Sequence, residues 1–392
     1  MKARLLMLIA AIVLIATGPQ AQAADPAKVK MALLTALSGP AAPWGIPILR
    51  AFEMGAEDVK MSGEFKVNGK AYEWDIITYD HKYVPAEAVK AANKAIYSDQ
   101  VKFMSVMGGS PCLAVIPLMK ENKILSLNLA SGGKQVTNPD NPLVFRYNVT
   151  DELMYLSGLP YLAKNEGIRT MASINPDDAT GRGGLKSAKI GASYHKVKII
   201  AEEFFERGTK DFTSLLTRIL AKKPDLIETG QTDPTSAALI CKQVREQGYE
   251  GVLLLRGANP AQLVEIAGPH AEKAYMYLGG PIKPENDYQK RVYEAYDKKW
   301  GEASWDGVIW IAYGAVPSLT KAIVAAQSFE PEAIAKKLET IEFETPTGML
   351  SFGGSKLYGT KRQLLYQGSF YQLREGVPVF LGDLDYPRDA LD

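Results

Sequence analysis

Residues 31–45, MALLTALSGPAAPWG, decide the fold, because they read as a buried strand that runs into a small-residue loop and then opens a helix. This order places Ser38, Trp44 and free backbone N–H groups at the carboxyl end of the strand. In open α/β sheets, small ligands bind in the crevice beyond the strand ends. A helix N-terminus at that place favours a carboxylate. Ser-Gly-Pro is also the sequence of an ordinary turn, so the segment alone leaves both readings open.

Residues 1–23 have the pattern of a secretory signal peptide. Two basic residues precede an apolar run over 5–16, and the small residues Ala21 and Ala23 follow a proline. We expect cleavage after Ala23 and export to the periplasm. The run is too short for a comfortable membrane span, and we expect no later stretch to approach the roughly 20 apolar residues that a span needs. A lipid anchor is not expected, because there is no cysteine at the cleavage site.

Composition narrows the class of partner. The 392 residues include 45 Lys and Arg against 44 Asp and Glu, without a basic stripe, so nucleic acid and anionic membrane are poor candidates. The length suits about two domains. Cys112 and Cys241 are the two cysteines. A disulfide is conceivable in an oxidising compartment, but Cys112 follows a turn and Cys241 lies in a helical pattern, so two free thiols are the default expectation.

Short β-branched or aromatic runs alternate with amphipathic stretches along the mature chain. The pattern predicts strands over 29–36, 72–79, 102–107, 124–128, 170–174, 196–204, 225–229 and 252–255. Helices are predicted between them and again over 288–300 and 308–326. Alternation of this kind indicates an α/β protein with parallel strands and helices on both faces.

The cycle of strands and helices restarts after Tyr147, which predicts two doubly wound lobes of similar build. We expect the first lobe to contain residues 24–147 and 281–346, and the second to contain 148–280 and 347–392. Five loops would then meet in the cleft between the lobes: 37–45, 108–112, 130–133, 230–233 and 256–259. Glycine and small residues there let the backbone approach a ligand and donate N–H groups. Loops of this kind are also rich in small residues because turns require them. Only the position of all five loops at the carboxyl ends of predicted strands favours a binding cleft.

Motifs of catalysis are missing from the sequence. There is no phosphate-binding G-x-x-x-x-G-K-[ST], no usable G-x-G-x-x-G and no G-x-S-x-G elbow. His81, His195 and His270 are scattered without metal-ligand spacing. We therefore expect no catalytic residues, no metal site and no cofactor.

The loop over 37–45 resembles the start of the leucine/isoleucine/valine-binding family, the type I periplasmic solute receptors of branched-chain amino-acid ABC importers. Further stretches match in order, at 79–92, 108–110, 146–151, 208–212, 266–268 and 347–352. The resemblance implies the type I periplasmic binding protein fold, with two lobes joined by three hinge crossovers near 147–150, 278–282 and 345–350. It also implies a small-molecule ligand, delivery to an inner-membrane ABC permease and a monomeric receptor.

Departures from the family pattern bear on the ligand. Amino-acid receptors of this family bind the α-carboxylate with hydroxyls and backbone N–H groups after the third strand, where this chain has Cys112. Backbone donors could still serve, and the candidates are Cys112, Ala130, Ser131 and Gly132. Asp151 matches a family position that helps to hold the ligand ammonium, although an Asp before a helix is also an ordinary N-cap.

The second lobe departs further. Thr180 stands where the family commonly has Tyr, and Arg256 falls at the position of the ammonium-binding Glu. Arginine offers only donors and a positive charge, so it would repel an amine and accept an anionic or carbonyl oxygen. An Arg256 turned to solvent or paired with Glu250 is the open alternative.

The expected ligand is therefore an organic acid with an apolar or aromatic body. Trp44 would pack a ring against that body, unless it only caps the core, and Tyr83, Tyr155 and Thr232 are further candidates to line the pocket. Three alternatives stay open. They are a branched-chain or other amino-acid receptor with an ammonium site around Asp151 and Asp233, an amide or urea receptor, and a periplasmic sensor module that binds a partner protein.

Overall fold

The computed structural model describes residues 25–130, 133–302, 305–366 and 368–383. The expected signal peptide and its cleavage after Ala23 lie outside the described residues, and so do the candidate site residues Ser131 and Gly132.

Strands and helices alternate along most of the described chain. The strands are β1 (Ala27–Thr35), β2 (Lys66–Val67), β3 (Lys70–Asp80), β4 (Phe103–Val106), β5 (Leu125–Asn128), β6 (Val144–Arg146), β7 (Thr170–Pro176), β8 (Lys198–Phe205), β9 (Leu226–Glu228), β10 (Val252–Leu254), β11 (Tyr275–Leu278), β12 (Phe343–Thr345), β13 (Gly348–Leu350), β14 (Phe352–Gly353), β15 (Gln363–Leu364), β16 (Ser369–Arg374) and β17 (Val377–Asp383).

The α-helices lie between these strands. They are α1 (Ala42–Ser62), α2 (Pro85–Asn93), α3 (Gly109–Glu121), α4 (Asp151–Asn165), α5 (Ala179–Tyr194), α6 (Thr213–Leu220), α7 (Pro234–Glu246), α8 (Pro260–Ala267), α9 (Asp287–Trp300), α10 (Val308–Ala326), α11 (Pro331–Leu338) and α12 (Ser355–Tyr358). A single π-helical turn, Lys94–Ser98, extends α2.

Two sheets organise the chain into two lobes, as the sequence predicted. The first sheet has the order β14-β15-β6-β5-β4-β1-β3-β2 and the second has the order β17-β16-β11-β10-β9-β7-β8. The inner strands of both sheets run parallel. Antiparallel strands lie at both edges of the first sheet and at the β16–β17 edge of the second, whereas β8 at its other edge is parallel. We call the first sheet with its helices the first lobe, and the second sheet with its helices the second lobe. Strands β12 and β13 form a separate hairpin.

The buried run in β1 explains why the first sheet is covered on both faces. Met31, Ala32, Leu33 and Leu34 are all fully buried, which is typical of a central parallel strand. Met31 and Leu33 belong to one apolar cluster, and Ala32 and Leu34 belong to another on the opposite face. Each face of the sheet therefore has its own core.

The loop that follows β1 depends on a glycine. A Cβ on Gly45 would lie 1.8 Å from the carbonyl oxygen of Ala36, so only glycine lets α1 begin this close to the strand. The decisive segment of the sequence is thus a tight strand-to-helix connection. It brings Trp44, in the first turn of α1, to the carboxyl end of β1.

Helix α10 packs along α1 in the core of the first lobe. We expected no stretch after the leader to approach a membrane span, and this expectation is wrong. The 19 residues of α10 are long enough and apolar enough to cross a membrane. Helix α10 is nevertheless a core helix, because 72% of its most apolar segment is buried inside the fold. Helices α9 and α10 pack in the first lobe, because Val292, Tyr296 and Trp310 lie in its apolar cluster.

The chain changes sheet three times, after β6, after β11 and after β15. The third change differs from the expected crossover near 345–350, because β14 and β15 still belong to the first sheet. Gln363 pairs with Arg146 of β6, and the buried guanidinium of Arg146 donates to the Gln363 side chain. This pairing holds 352–364 in the first lobe, so the range 347–392 does not lie wholly with the second sheet.

Candidate functional site

A cavity of about 130 Å³ lies between the two lobes. Its wall from the first lobe includes Trp44, Tyr83 and Gly108, and its wall from the second includes Gln231, Arg256 and Tyr277. Four of the five predicted cleft loops contribute to this wall: 37–45, 108–112, 230–233 and 256–259. The cavity is therefore built at the carboxyl ends of parallel strands, where open α/β sheets hold ligands.

Arg256 points into the cleft, not to solvent. Its side chain is 3% exposed, and its Nη2 donates to Oδ1 of Asp151 at 2.9 Å. The guanidinium lies over the rings of Tyr155 and Tyr277, with its carbon 4.9 and 5.8 Å from their centroids. Arg256 therefore pairs with Asp151 and not with Glu250, which was the open alternative. Burial alone would lower the pKa of the guanidinium, but Asp151, Tyr155 and Glu228 together raise it above its usual value, so Arg256 is a cation.

Two donors of this guanidinium are unused. Nε and Nη1 of Arg256 are buried and make no hydrogen bond. A buried donor without a partner costs free energy, roughly 1–3 kcal/mol and more for a charged group. Each of the two donors can therefore receive its own acceptor oxygen, and a hydrogen bond from a guanidinium to a carboxylate is stronger than one between neutral groups.

Asp151 anchors Arg256 from the first turn of α4. The N-cap of this helix is Thr150, whose hydroxyl accepts from the backbone N–H of Leu153, so the N-cap reading of Asp151 is wrong. Oδ1 of Asp151 accepts from Arg256 and also from Nε2 of Gln231 at 2.5 Å. The carboxylate that the family pattern assigns to a ligand ammonium is therefore already paired with a cation of the protein.

Glu228 is a buried acid beneath this pair that the sequence reasoning missed. It accepts from the Tyr155 hydroxyl at 2.8 Å and from the Gly230 backbone N–H at 2.6 Å, and it also bonds to Ser173. Burial raises the pKa of its carboxyl group, which favours the neutral form. A glutamate at the end of the apolar run of β9 was the signal that could have found it. Tyr155 lies under Arg256 and does not reach the cavity wall, so it acts as a support.

Trp44 and Tyr83 supply aromatic surface from the first lobe. Trp44 lines the cavity and also packs against the core of its lobe, so both predicted readings describe it. Tyr83 has a positive φ of 63°, and so does the preceding Lys82 at 54°. A Cβ on Gly108 would lie 2.5 Å from the Tyr83 ring. The strained turn and the glycine together hold this ring flat against the first lobe.

Three predicted site residues lie away from the cavity. Ser38 is exposed, and its hydroxyl donates to Asp80 at 2.7 Å. Cys112 and Ala130 are fully buried in the core behind the first sheet. The backbone N–H of Cys112 donates to the carbonyl of Gly108, so it is not free for a ligand. These three residues position the loops instead of lining the wall.

Thr232 is fully buried, and its hydroxyl has no hydrogen-bond partner. Its backbone packs so closely on the next loop that a Cβ on Gly257 would lie 1.9 Å from the Thr232 carbonyl oxygen. Asp233 caps α7 by accepting from the Ser236 backbone N–H. It also lies 3.6 Å from Arg207. The ammonium site that the amino-acid alternative places around Asp151 and Asp233 is therefore occupied by arginines.

Thr180 bonds across the cleft to a residue that the sequence reasoning missed. Its hydroxyl oxygen accepts from the backbone N–H of Ser110 at 2.5 Å, and its own N–H donates to the Ser110 hydroxyl at 2.9 Å. A second bridge joins Arg207 to Tyr83, with the guanidinium carbon 4.3 Å from the ring centroid. Arg207 is held in turn by Asp178 at 2.6 Å. The two lobes thus touch directly beside the cavity.

The described part of the chain offers neither a metal-binding cluster nor a reactive thiol. Over the described ranges, no group of three or more His, Cys, Asp or Glu residues could hold a metal ion. Cys112 and Cys241 are both buried free thiols and belong to different lobes. Burial raises the pKa of each thiol to about 12, so neither is a nucleophile at neutral pH.

Relatives of known function share the whole architecture. A leucine-, isoleucine-, valine-, threonine- and alanine-binding protein of Pseudomonas aeruginosa is 26% identical over 89% of this chain and 91% of its own. A Leu/Ile/Val-binding protein of Escherichia coli is 24% identical over 88% of this chain and 91% of its own.

Solved structures show the same fold. A leucine-binding protein from Thermotoga maritima superposes with a TM-score of 0.81 at 22% identity, covering 92% of this chain and 99% of its own. An ABC-transporter solute-binding protein of R. palustris in complex with benzoate superposes with a TM-score of 0.77 at 18% identity, covering 92% of this chain and 97% of its own.

The model of the periplasmic binding protein family matches residues 28–374, which is nearly all of the described chain. This match agrees with the interlobe cavity and with the two doubly wound lobes. All three features are typical of a receptor that encloses a solute. The expectation of a non-enzymatic receptor is confirmed by these relatives. The chain belongs to the periplasmic binding protein family, with the type I fold of the ABC-transporter solute receptors.

Proposed function

We propose that this receptor captures a small organic acid with an apolar or aromatic body and delivers it to the inner-membrane permease of an ABC importer. The observation that carries the proposal is the buried Arg256 guanidinium, which faces the cavity with Nε and Nη1 unused. The receptor would act as a monomer in the periplasm, after a signal peptide is removed behind Ala23.

The unused donors of Arg256 support an anionic or carbonyl oxygen in the ligand. Arg256 is shared with Asp151, whose second oxygen is also buried and without a partner. Arg256 supplies only donors, and its Nη2 is the one donor that Asp151 occupies. A carboxylate oxygen on Nε or on Nη1 would satisfy one of the unused donors, and hydrogen bonds that involve an ion are about twice as strong as neutral ones. An α-amino group at the same place would meet a fixed cation.

The remaining wall favours an apolar body of limited size. Trp44, Tyr277 and Ile311 present apolar surface to the cavity. Its volume of about 130 Å³ suits one small ring, since a cavity of about 150 Å³ holds benzene. The benzoate complex of the R. palustris receptor shows that the fold accommodates such an acid. These points support a benzoate-sized acid over a larger aromatic acid.

An amino-acid receptor is the second candidate. The named relatives bind branched-chain amino acids, and Asp306 lines the cavity from the first lobe. Asp306 is fully enclosed and accepts from the Val308 backbone N–H at 2.8 Å. Its carboxylate would be the acceptor for a ligand ammonium. Burial raises the pKa of Asp306, however, which weakens it as a counterion.

The hinges belong to the same proposal. We place them at the three changes of sheet, near 147–150, 279–286 and 365–366. The third range replaces 345–350 because β15 pairs with β6. Rotation about these segments would open the cleft and admit the ligand.

Calorimetric titration of ligand-stripped protein tests the proposal. The panel is benzoate, succinate, leucine and acetamide, and the control protein is Arg374→Gln, which removes an exposed arginine on β16. We expect benzoate to bind tightest, with the control indistinguishable from wild type. Tight leucine binding with no response to either acid contradicts the proposal and supports the second candidate.

A further inference from the structure

Two helix N-termini from opposite lobes cap each other beside the cavity. Ser110 is the second residue of α3, and Thr180 is the second residue of α5. The Ser110 N–H donates to the Thr180 hydroxyl at 2.5 Å, and the Thr180 N–H donates to the Ser110 hydroxyl at 2.9 Å. The two hydroxyl oxygens are 2.8 Å apart. The hydroxyl oxygen of each residue thus accepts a hydrogen bond from the backbone N–H of the other.

These bonds are protected from solvent and are not duplicated within a lobe. Ser110 is 4% exposed and Thr180 is fully buried. The N-cap of α3 is Gly108, which has no side chain, so Thr180 of the second lobe provides the side-chain cap. Without the second lobe, the Ser110 N–H would need water or a ligand, because the first N–H groups of a helix have no partner within it.

We propose that Ser110 and Thr180 form a latch that closes the lobes in the absence of ligand and withdraws both helix N-termini from ligand binding. Their hydroxyls and N–H groups satisfy one another, which leaves Arg256 as the anion-binding group of the cleft.

Neighbouring contacts also hold the two lobes together. The Tyr83 hydroxyl lies 3.5 Å from the Thr180 hydroxyl, and the Tyr83 ring carries Arg207 of the second lobe. On the other side of the cavity, Asn259 of the second lobe donates to Asp306 of the first. The Ser110–Thr180 pair is thus one of several direct contacts between the lobes.

The latch changes the apparent affinity through the closed fraction of the receptor. A ligand that binds the closed form gains affinity in proportion to that fraction. Removal of the Thr180 hydroxyl leaves the Ser110 N–H buried without an acceptor in the closed form, whereas the open form exposes it to water. We expect the ratio of closed to open protein to fall on the order of tenfold.

Small-angle X-ray scattering of ligand-stripped protein measures the latch directly. The variants are Thr180→Val, which keeps the shape and loses the hydroxyl, and Thr180→Ser, which keeps the hydroxyl. Thr229→Val is the matched control, because its hydroxyl is buried in the second lobe without a partner. We expect a compact wild type, Ser variant and control, and a larger radius of gyration for Thr180→Val. Circular dichroism and melting curves establish that each variant is folded.

Ligand titration supplies the second arm. A latch lowers the affinity of Thr180→Val by the same factor for every acid in the panel, up to about tenfold. The proposal is overturned if ligand-free wild type scatters like Thr180→Val, or if that variant loses one ligand while it keeps the others. The scattering arm contains no ligand, so its result does not depend on the identity of the ligand.

Discussion

Arg256 and Asp151 form a buried ion pair at 2.9 Å in which one member has donors to spare. The pair joins α4 to the loop after β10, and both side chains are almost wholly enclosed. A buried pair of this kind is a weak source of stability, because desolvation offsets its attraction. Its value here is orientation, since Asp151 fixes the guanidinium plane while Nε and Nη1 remain available.

The substitution Asp151→Asn separates these roles. The amide keeps the shape but removes the counterion, so the free energy of unfolding should fall by about 3 kcal/mol. A carboxylate ligand should then raise the melting temperature of the variant more than that of wild type, because it replaces the missing anion. Asp177→Asn is the control, since its pair with Arg182 is half-exposed and worth less than about 1 kcal/mol. Unchanged stability with lost ligand binding would show that Asp151 contacts the ligand itself.

Gly108→Ala should disturb the first-lobe wall. Gly108 has a φ of 88°, and a new Cβ would meet the Tyr83 ring at 2.5 Å. Gly63→Ala is the matched control, because its φ is 65° and its Cβ would lie in open space. We expect Gly63→Ala to cost about 1 kcal/mol from backbone strain alone, and Gly108→Ala to cost about 1–2 kcal/mol more from overpacking. Denaturant unfolding measures both; equal costs would mean that the Tyr83 ring is free to move.

His81 gives the stability a dependence on pH. Its Nδ1 accepts from the Tyr83 N–H at 2.9 Å and its Nε2 donates to the Met107 carbonyl at 3.0 Å, so the ring is neutral. Burial lowers the pKa of His81 from 6.5 to about 4. Between these values the unfolded chain takes up a proton that the folded protein does not. The contribution of His81, about 3 kcal/mol, is therefore present above pH 6.5 and lost as the pH falls to 4.

The measurement for His81 is the difference in unfolding free energy between wild type and His81→Asn across this pH range. Other acidic groups titrate in both proteins and cancel in the difference. The advantage of wild type should shrink between pH 6.5 and 4. A difference that stays constant over that range would be inconsistent with a buried neutral ring.

The two thiols should be inert in the folded protein. Both are buried, and burial raises the pKa of each to about 12. We expect an aromatic disulfide reagent to leave native protein unmodified over an hour and to find two thiols after guanidinium unfolding. An exposed Lys90→Cys variant, which should react at once, controls for the reagent. Fast reaction of one native thiol would place Cys112 at the cavity surface.

Much of the fold followed from the sequence, because hydrophobic period and strand-end turns are local signals. The strands of β1, β3 and β5 and the helices α4 and α10 fall where the pattern predicted them. Short strands were missed: β6 has three residues and β15 has two, too few to show a period. Their pairing with each other is a long-range contact, and it is what moved the third crossover.

The site was predictable in place but not in detail. Arg256, Trp44 and Tyr83 reach the cavity as expected. Cys112 does not, because the sequence does not say which way a side chain in the first turn of α3 points. Ser110 and Glu228 were missed for a related reason, since a serine in a turn and a glutamate at a strand end gain meaning only from partners about 70 and 55 residues away.

The most direct test of the central claim combines a change in ligand charge with a change in protein charge. Benzoate and benzamide have nearly the same shape, and calorimetry would measure both with wild type and with Arg256→Gln. If Arg256 holds the carboxylate, wild type prefers benzoate by at least about 30-fold, and the variant loses that preference. An equal preference for benzoate in both proteins would contradict the account.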